Sequence, residues 1–141
     1  MRTIAMLVVL FAIFQSGCRR PPAPAATDLE RLQGEWQLVS GGRHGQVFPD
    51  DILKQVRLTF VGNVLKTTKP DSVTDATFTL HPELDPKGID VDMDGSPGLG
   101  IYKLEDDTLT ILHAEILEPR PKNFEAVKSG TLTLLVLRKT G

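Results

Sequence analysis

The chain predicts an all-β domain: an eight-stranded up-and-down barrel carrying one or two short helical turns. Three observations lead there. Short runs that alternate apolar with polar residues, rich in Val, Ile and Thr, recur after residue 55; that is the period of half-buried strands. The 12 glycines and 10 prolines are scattered rather than pooled, so turns interrupt those runs throughout. Finally, no stretch sustains a long helical period. Eight strands of about 6 residues, joined by connections of about 4–6, need roughly 80–90 residues. Positions 28–141 supply these and two helical turns.

The first element is Asp28-Leu-Glu-Arg-Leu-Gln-Gly-Glu-Trp-Gln-Leu-Val-Ser40, a helical turn that runs into a strand. Asp28 is placed to cap the turn, because a side-chain oxygen satisfies amide donors that a helix start leaves free. Gly34 permits the corner. Trp36, the only tryptophan, then brings the largest apolar side chain to the first strand. A Gly-x-Trp at this place closes one end of a small barrel; the alternative is a core tryptophan in a β-sandwich. Pro49 to Lys54 reads as a second helical turn, with acids at its start where the dipole favours them.

Val56 to Phe60 and Val64 to Thr68 alternate on either side of Gly62-Asn63, a hairpin turn. Ala76 to Leu80 alternates again, and His81-Pro82 ends it. Ile89 to Met93 is the next strand. Leu99 to Leu104 and Thr108 to Leu112 form a hairpin around Glu105-Asp106-Asp107, and Arg120 to Phe124 is a loop or short turn. Thr131 to Arg138 closes the chain as a strand that is apolar on both faces.

The start of the chain reads differently. A basic Met1-Arg2-Thr3 precedes 11 apolar residues, Ile4 to Phe14. That run is too short for a bilayer core, which takes about 20. It matches the h-region of an export signal. Ser16-Gly17-Cys18 resembles a bacterial lipoprotein cleavage site, in which Cys18 becomes the lipid-bearing first residue. Gln15 stands where such sites usually carry an aliphatic residue, so release as a soluble secreted protein is the alternative. The predicted organisation is a signal peptide over 1–17, a Pro/Ala-rich tether over 18–27, and one domain over 28–141. Both routes place the product outside the cytoplasm, the first at the cell envelope with a membrane anchor. Cys18 is the single cysteine, so no internal disulfide is expected. With 16 basic against 18 acidic residues, the chain lacks the basic field that nucleic-acid binding uses.

Several segments, in order, carry a family resemblance. They are Leu32-Gln-Gly-Glu-Trp-Gln-Leu-Val-Ser40, Pro86-Lys-Gly-Ile-Asp90, Gly100-Ile-Tyr102, Asp107-Thr-Leu109, Arg120-Pro121 with Phe124, and Leu135-Val-Leu-Arg138. Across about residues 28 to 139 the chain resembles the planctomycete-type lipocalin-like domains, small exported domains of uncharacterised role. The resemblance implies a lipocalin-like barrel and transfers no catalytic residue. Members often carry a cysteine after the Asp-Thr-Leu strand; this chain has Leu112-His113 there. Lipocalin-like barrels also lay a C-terminal arginine across the first-strand tryptophan, which implies that Arg138 packs on Trp36.

Few residue groups suggest chemistry. Asp90-Val-Asp92-Met-Asp94-Gly95 matches the first half of a calcium loop, but Ile101 stands where a bidentate Glu is needed. The plainer alternative is a strand with three outward carboxylates. His44, His81 and His113 fit no metal spacing. No Gly-x-Ser-x-Gly and no phosphate-cradling glycine run occurs. Arg120 is a candidate anion contact or the partner of a nearby carboxylate. No cofactor and no enzymatic activity are expected. Phe60, Phe78, Tyr102, Leu109 and Ile111 are the expected lining of a lumen for a small apolar or amphipathic ligand. The alternative is a solid barrel that recognises protein partners through its loops.

Overall fold

The structure, a computed structural model, describes residues 26–128 and 131–141. The signal peptide, Cys18 and nearly all of the tether lie outside them. Two helical turns, α1 (Asp28–Leu32) and α2 (Asp50–Gln55), accompany nine strands. These are β1 (Gly34–Arg43), β2 (Gln46–Val47), β3 (Arg57–Val61), β4 (Val64–Thr68), β5 (Val73–His81), β6 (Gly88–Met93), β7 (Ser96–Glu105), β8 (Thr108–His113) and β9 (Thr133–Lys139). Each long strand pairs antiparallel with the next, and β9 returns to β1. The result is a closed barrel of eight strands. β2 is a two-residue spur on the end of β1. Closure leaves no long edge exposed to pair with another chain.

Sequence alternation accounts for the inside. Trp36, Leu38, Leu58, Phe60, Leu65, Phe78, Ile89, Tyr102, Leu109, Ile111 and Leu137 form one buried cluster with Leu32. The hairpin turns fall where their residues allow positive φ: Gly62 at 59°, Asp94 and Gly95 at 54° and 84°, and Asp106 at 52°. A second buried cluster lies on the outside of the wall. Ile101, Leu112, Ala114 and Leu132 pack there with Phe124, Ala126 and Leu134. The segment between β8 and β9, with its 3-10 turn Phe124–Lys128, thus covers outward side chains of β7, β8 and β9. This is why β9 is apolar on both faces.

One end of the barrel is stoppered by α1 and Trp36. Five residues cannot hold a helix unaided, since isolated helices below about 12–15 residues are marginal. Here the ends are tied. The cap is Thr27, whose Oγ1 accepts from the Glu30 amide at 3.2 Å. Asp28, the expected cap, begins the helix instead and turns its carboxylate to the barrel. At the other end, carbonyls that a helix terminus leaves free each find a donor. Gln33 Nε2 reaches Leu29 O at 3.2 Å, the Gln33 amide reaches Glu30 O at 3.3 Å, Lys139 Nζ reaches Arg31 O at 2.9 Å, and Trp36 Nε1 reaches Leu32 O at 2.8 Å. Gly34 makes the corner at φ 115°, and a Cβ there would sit 2.6 Å from Gly141 O.

The expectation for Arg138 is overturned. Trp36 stands opposite Lys139, and it is Lys139 Nζ that lies over the indole, 5.6 Å from the ring centroid. Arg138 stands opposite Gln37 and is exposed. A slip of one residue along a strand reverses its face. Because β9 is apolar on both sides, its pattern could not say which set faced inward.

Replacing Trp36 by Ala is expected to cost about 3–5 kcal/mol, read from urea unfolding midpoints. Arg138→Ala should stay within about 0.5 kcal/mol, as for an exposed side chain; reversed magnitudes would refute this placement.

Candidate functional site

The expected lumen is occupied by its own lining. Phe60, Phe78, Tyr102, Leu109 and Ile111 are all buried and belong to the cluster that contains Trp36. Phe60 and Phe78 meet edge to face with centroids 5.2 Å apart. An eight-stranded barrel is just wide enough for side chains to fill, and these fill it. Shallow hollows lie at the surface of the described residues. One, of about 450 Å3, runs between β1 and α2 and is lined by Gln37, Leu38, Val39, Asp50, Leu53 and Lys54. A second, of about 370 Å3, is lined by Leu84, Asp85, Pro86, Ile101, Arg120, Pro121 and Lys122. None of the five expected lumen residues borders either.

Beside the second hollow stands an ionic group on the outer wall. Arg120 Nη2 lies 2.6 Å from Asp90 Oδ1, and Arg120 Nη1 donates to Gly100 O at 2.7 Å. Asp90 Oδ1 is buried and lacks hydrogen-bond geometry, so the guanidinium reaches it as a charge. Gly88 leaves the room, since a Cβ there would meet Arg120 Nη1 at 2.7 Å. His81 completes the group, with Nε2 at 2.9 Å from Asp90 Oδ2 and Nδ1 at 3.2 Å from Glu83 Oε1. Arg120 is therefore the partner of an internal carboxylate, with both terminal nitrogens engaged, and not an outward anion contact. It fastens the segment after β8 to β6 and β7.

The acidic run does not assemble as a calcium loop. Asp90 is bound to Arg120 and His81, Asp92 Oδ1 accepts from the Gly95 amide at 2.8 Å, and Asp94 occupies the turn at φ 54°. Each acid serves the hairpin or the wall separately. Among the described residues, no group of three or more His, Cys, Asp or Glu side chains is placed to hold a metal ion.

A second ionic group anchors the stopper. Asp28 Oδ2 accepts from Lys87 Nζ at 2.8 Å and from the Tyr102 hydroxyl at 2.7 Å, with Arg31 at 3.7 Å from Oδ1. Burial works to raise the Asp28 carboxyl. The hydrogen bonds from Lys87 and Tyr102 and the charges of Lys87 and Arg31 outweigh it and hold the group below its ordinary value. Burial, then the Asp28 carboxylate, push the Tyr102 hydroxyl far up. Tyr102 is thus both core and latch. Asp28 and its partners lie 59 and 74 residues apart, so no local spacing announces them.

The two perturbed histidines oppose each other. The hydrogen bond to Asp90 raises His81 above 6.5, against partial desolvation. Burial lowers His113 below 6.5, against a backbone hydrogen bond to Ala114. A raised histidine contributes stability that is complete below its unfolded value and is lost as pH climbs through the folded one. A lowered histidine does the reverse, and its contribution fades as pH falls below 6.5.

Comparison with protein-family models, with curated proteins and with solved structures finds no match to this chain. Urea midpoints followed from about pH 5 to about pH 8 test the paired titration. His81→Gln should flatten the decline on the alkaline side, and His113→Gln the decline on the acid side. Equal profiles for the two variants would refute the assignments.

Proposed function

We propose that this protein is an exported, non-enzymatic interaction module, held at the cell envelope by lipid on Cys18, that recognises a protein partner through surfaces outside its barrel. The observation that carries this is the filled centre. The five side chains expected to line a ligand lumen are buried in one cluster with Trp36, and Phe60 meets Phe78 edge to face within it. Admitting a ligand there would require expelling core side chains, each contributing about 1.5–3 kcal/mol by burial. The outer surface retains exposed apolar side chains, among them Val47, Val61, Val73 and Leu117. Membership in the planctomycete-type lipocalin-like domains is part of the proposal. The closed eight-stranded barrel and its Gly34-x-Trp36 opening support it. Export and lipidation rest on the apolar run Ile4 to Phe14 and on Ser16-Gly17-Cys18.

Native mass spectrometry of the protein recovered from the membrane fraction of its own host tests both halves. The expected species is the chain beginning at Cys18 with lipid attached and no further small molecule, and Cys18→Ser should leave the membrane fraction. A stoichiometric apolar molecule retained through purification would restore the ligand reading. Membrane retention of the Cys18→Ser form would contradict the anchor.

A further inference from the structure

The segment leaving β8 makes a tight turn at Glu115-Ile-Leu-Glu118, closed by the Glu118 amide donating to Glu115 O at 3.0 Å. Leu117 is its third residue, at φ 73°, while Ile116 keeps a negative φ. That is the geometry of a type II turn, whose third place calls for Gly or Asn. Here it holds a leucine that is 93% exposed, beside Ile116 at 46%. Isolated exposed apolar residues are ordinary. A leucine that is both fully exposed and held in the left-handed region gains nothing from its own fold.

The turn is also rigidly presented. The Ala114 amide before it donates to Leu99 O at 2.9 Å, and Arg120 after it donates to Gly100 O at 2.7 Å. Both anchors are adjacent residues of β7. Glu115 is gripped by His44 Nε2 at 2.6 Å, with Arg43 at 4.0 Å. A protruding group fixed before binding loses little freedom on binding.

We infer that Leu117, with Ile116, is a preformed recognition knob for a partner protein that offers an apolar socket rimmed by basic side chains. This rests on the interaction reading and names its surface. The basic rim follows from charge: Glu118, next to the knob, takes part in no ion pair among the described residues. A lipid surface fits poorly, because Glu118 beside the knob carries a charge that anionic headgroups would repel, while Glu115 is taken up by His44 and Arg43. Direction agrees. β8 pairs Thr108 with Arg138 and His113 with Thr133, while α1, where the tether enters, lies against Lys139. The segment that carries the knob therefore leaves the barrel at the end away from the tether.

The test is photocrosslinking in the envelope of the protein's own host, with a photoreactive residue at Ile116 and a control at Asn63, in the β3–β4 hairpin. The captured protein is then purified and titrated against the intact domain. The expected result is an adduct at Ile116 whose purified partner binds Leu117→Gly at least about tenfold more weakly. Glu118→Lys should weaken binding as well. Leu117→Gly should not lower Tm, since glycine suits that φ. An adduct indifferent to Leu117→Gly overturns the knob, as does one to lipid or to a second copy of this chain. Protein adducts at Asn63 alone overturn the knob and leave the interaction reading standing; none at either position overturns both.

Discussion

The hydrogen bond from the Trp36 indole to the Leu32 carbonyl, at 2.8 Å, is the contact on which the rest of the molecule depends. It joins a helical turn too short to persist alone to the largest side chain of the barrel interior. Around it the Arg31 carbonyl takes Lys139, and the Asp28 carboxylate takes Lys87 and Tyr102. Strands β1, β7 and β9, the β5–β6 loop and α1 are thereby fastened at one end. The Gln33 side chain adds the β3–β4 hairpin, accepting from the Gly62 amide at 2.6 Å and donating to its carbonyl at 3.0 Å. Most of these donors and acceptors come from residues far apart in the chain. The stopper and the closed barrel therefore hold each other in place in the folded protein.

The interior is occupied by its own buried side chains. On the exterior, the described part of the segment between β8 and β9 lies against the wall. It is fixed by Arg120 to Asp90 and Gly100, by Phe124 beneath Lys103 at 5.1 Å, and by its own apolar cluster against Ile101 and Leu112. A loop that served only to join two strands would need none of these attachments. They lay part of a 19-residue connection, long by the usual measure of about 4–6, over one side of the wall.

Much of this architecture was legible in the residues. Alternation located several of the barrel strands, the Gly34-Trp36 stretch and the terminal apolar run located the first and last, and Gly62-Asn63 and Asp106-Asp107 marked two of the turns, because period and turn chemistry are local. Gly34 and Trp36 stand where the opening stretch suggested. The failures share one physical reason: they concern partners chosen by register or by distant strands. Arg138 and Lys139 differ by one step, and a strand apolar on both faces does not reveal which points inward. Asp28 was legible as a helix-start residue, but its use by Lys87 and Tyr102 depends on three-dimensional closure. The acidic run Asp90, Asp92, Asp94 looked like a single site because its spacing is regular. Arg120 and His81, from other segments, take the first acid, and the hairpin takes the others. The apolar positions of the interior were identified, whereas their packing into a solid core depends on how volumes add, which no single strand encodes.

The central claim is that a lone indole seals a filled barrel. Acrylamide quenching of the intrinsic fluorescence addresses it directly, because Trp36 is the only tryptophan of the chain. The account predicts blue-shifted emission that resists quenching until the protein unfolds, unchanged when apolar molecules are added. Red-shifted emission quenched as readily as free indole in the folded protein, or strong displacement by an apolar additive, would contradict it.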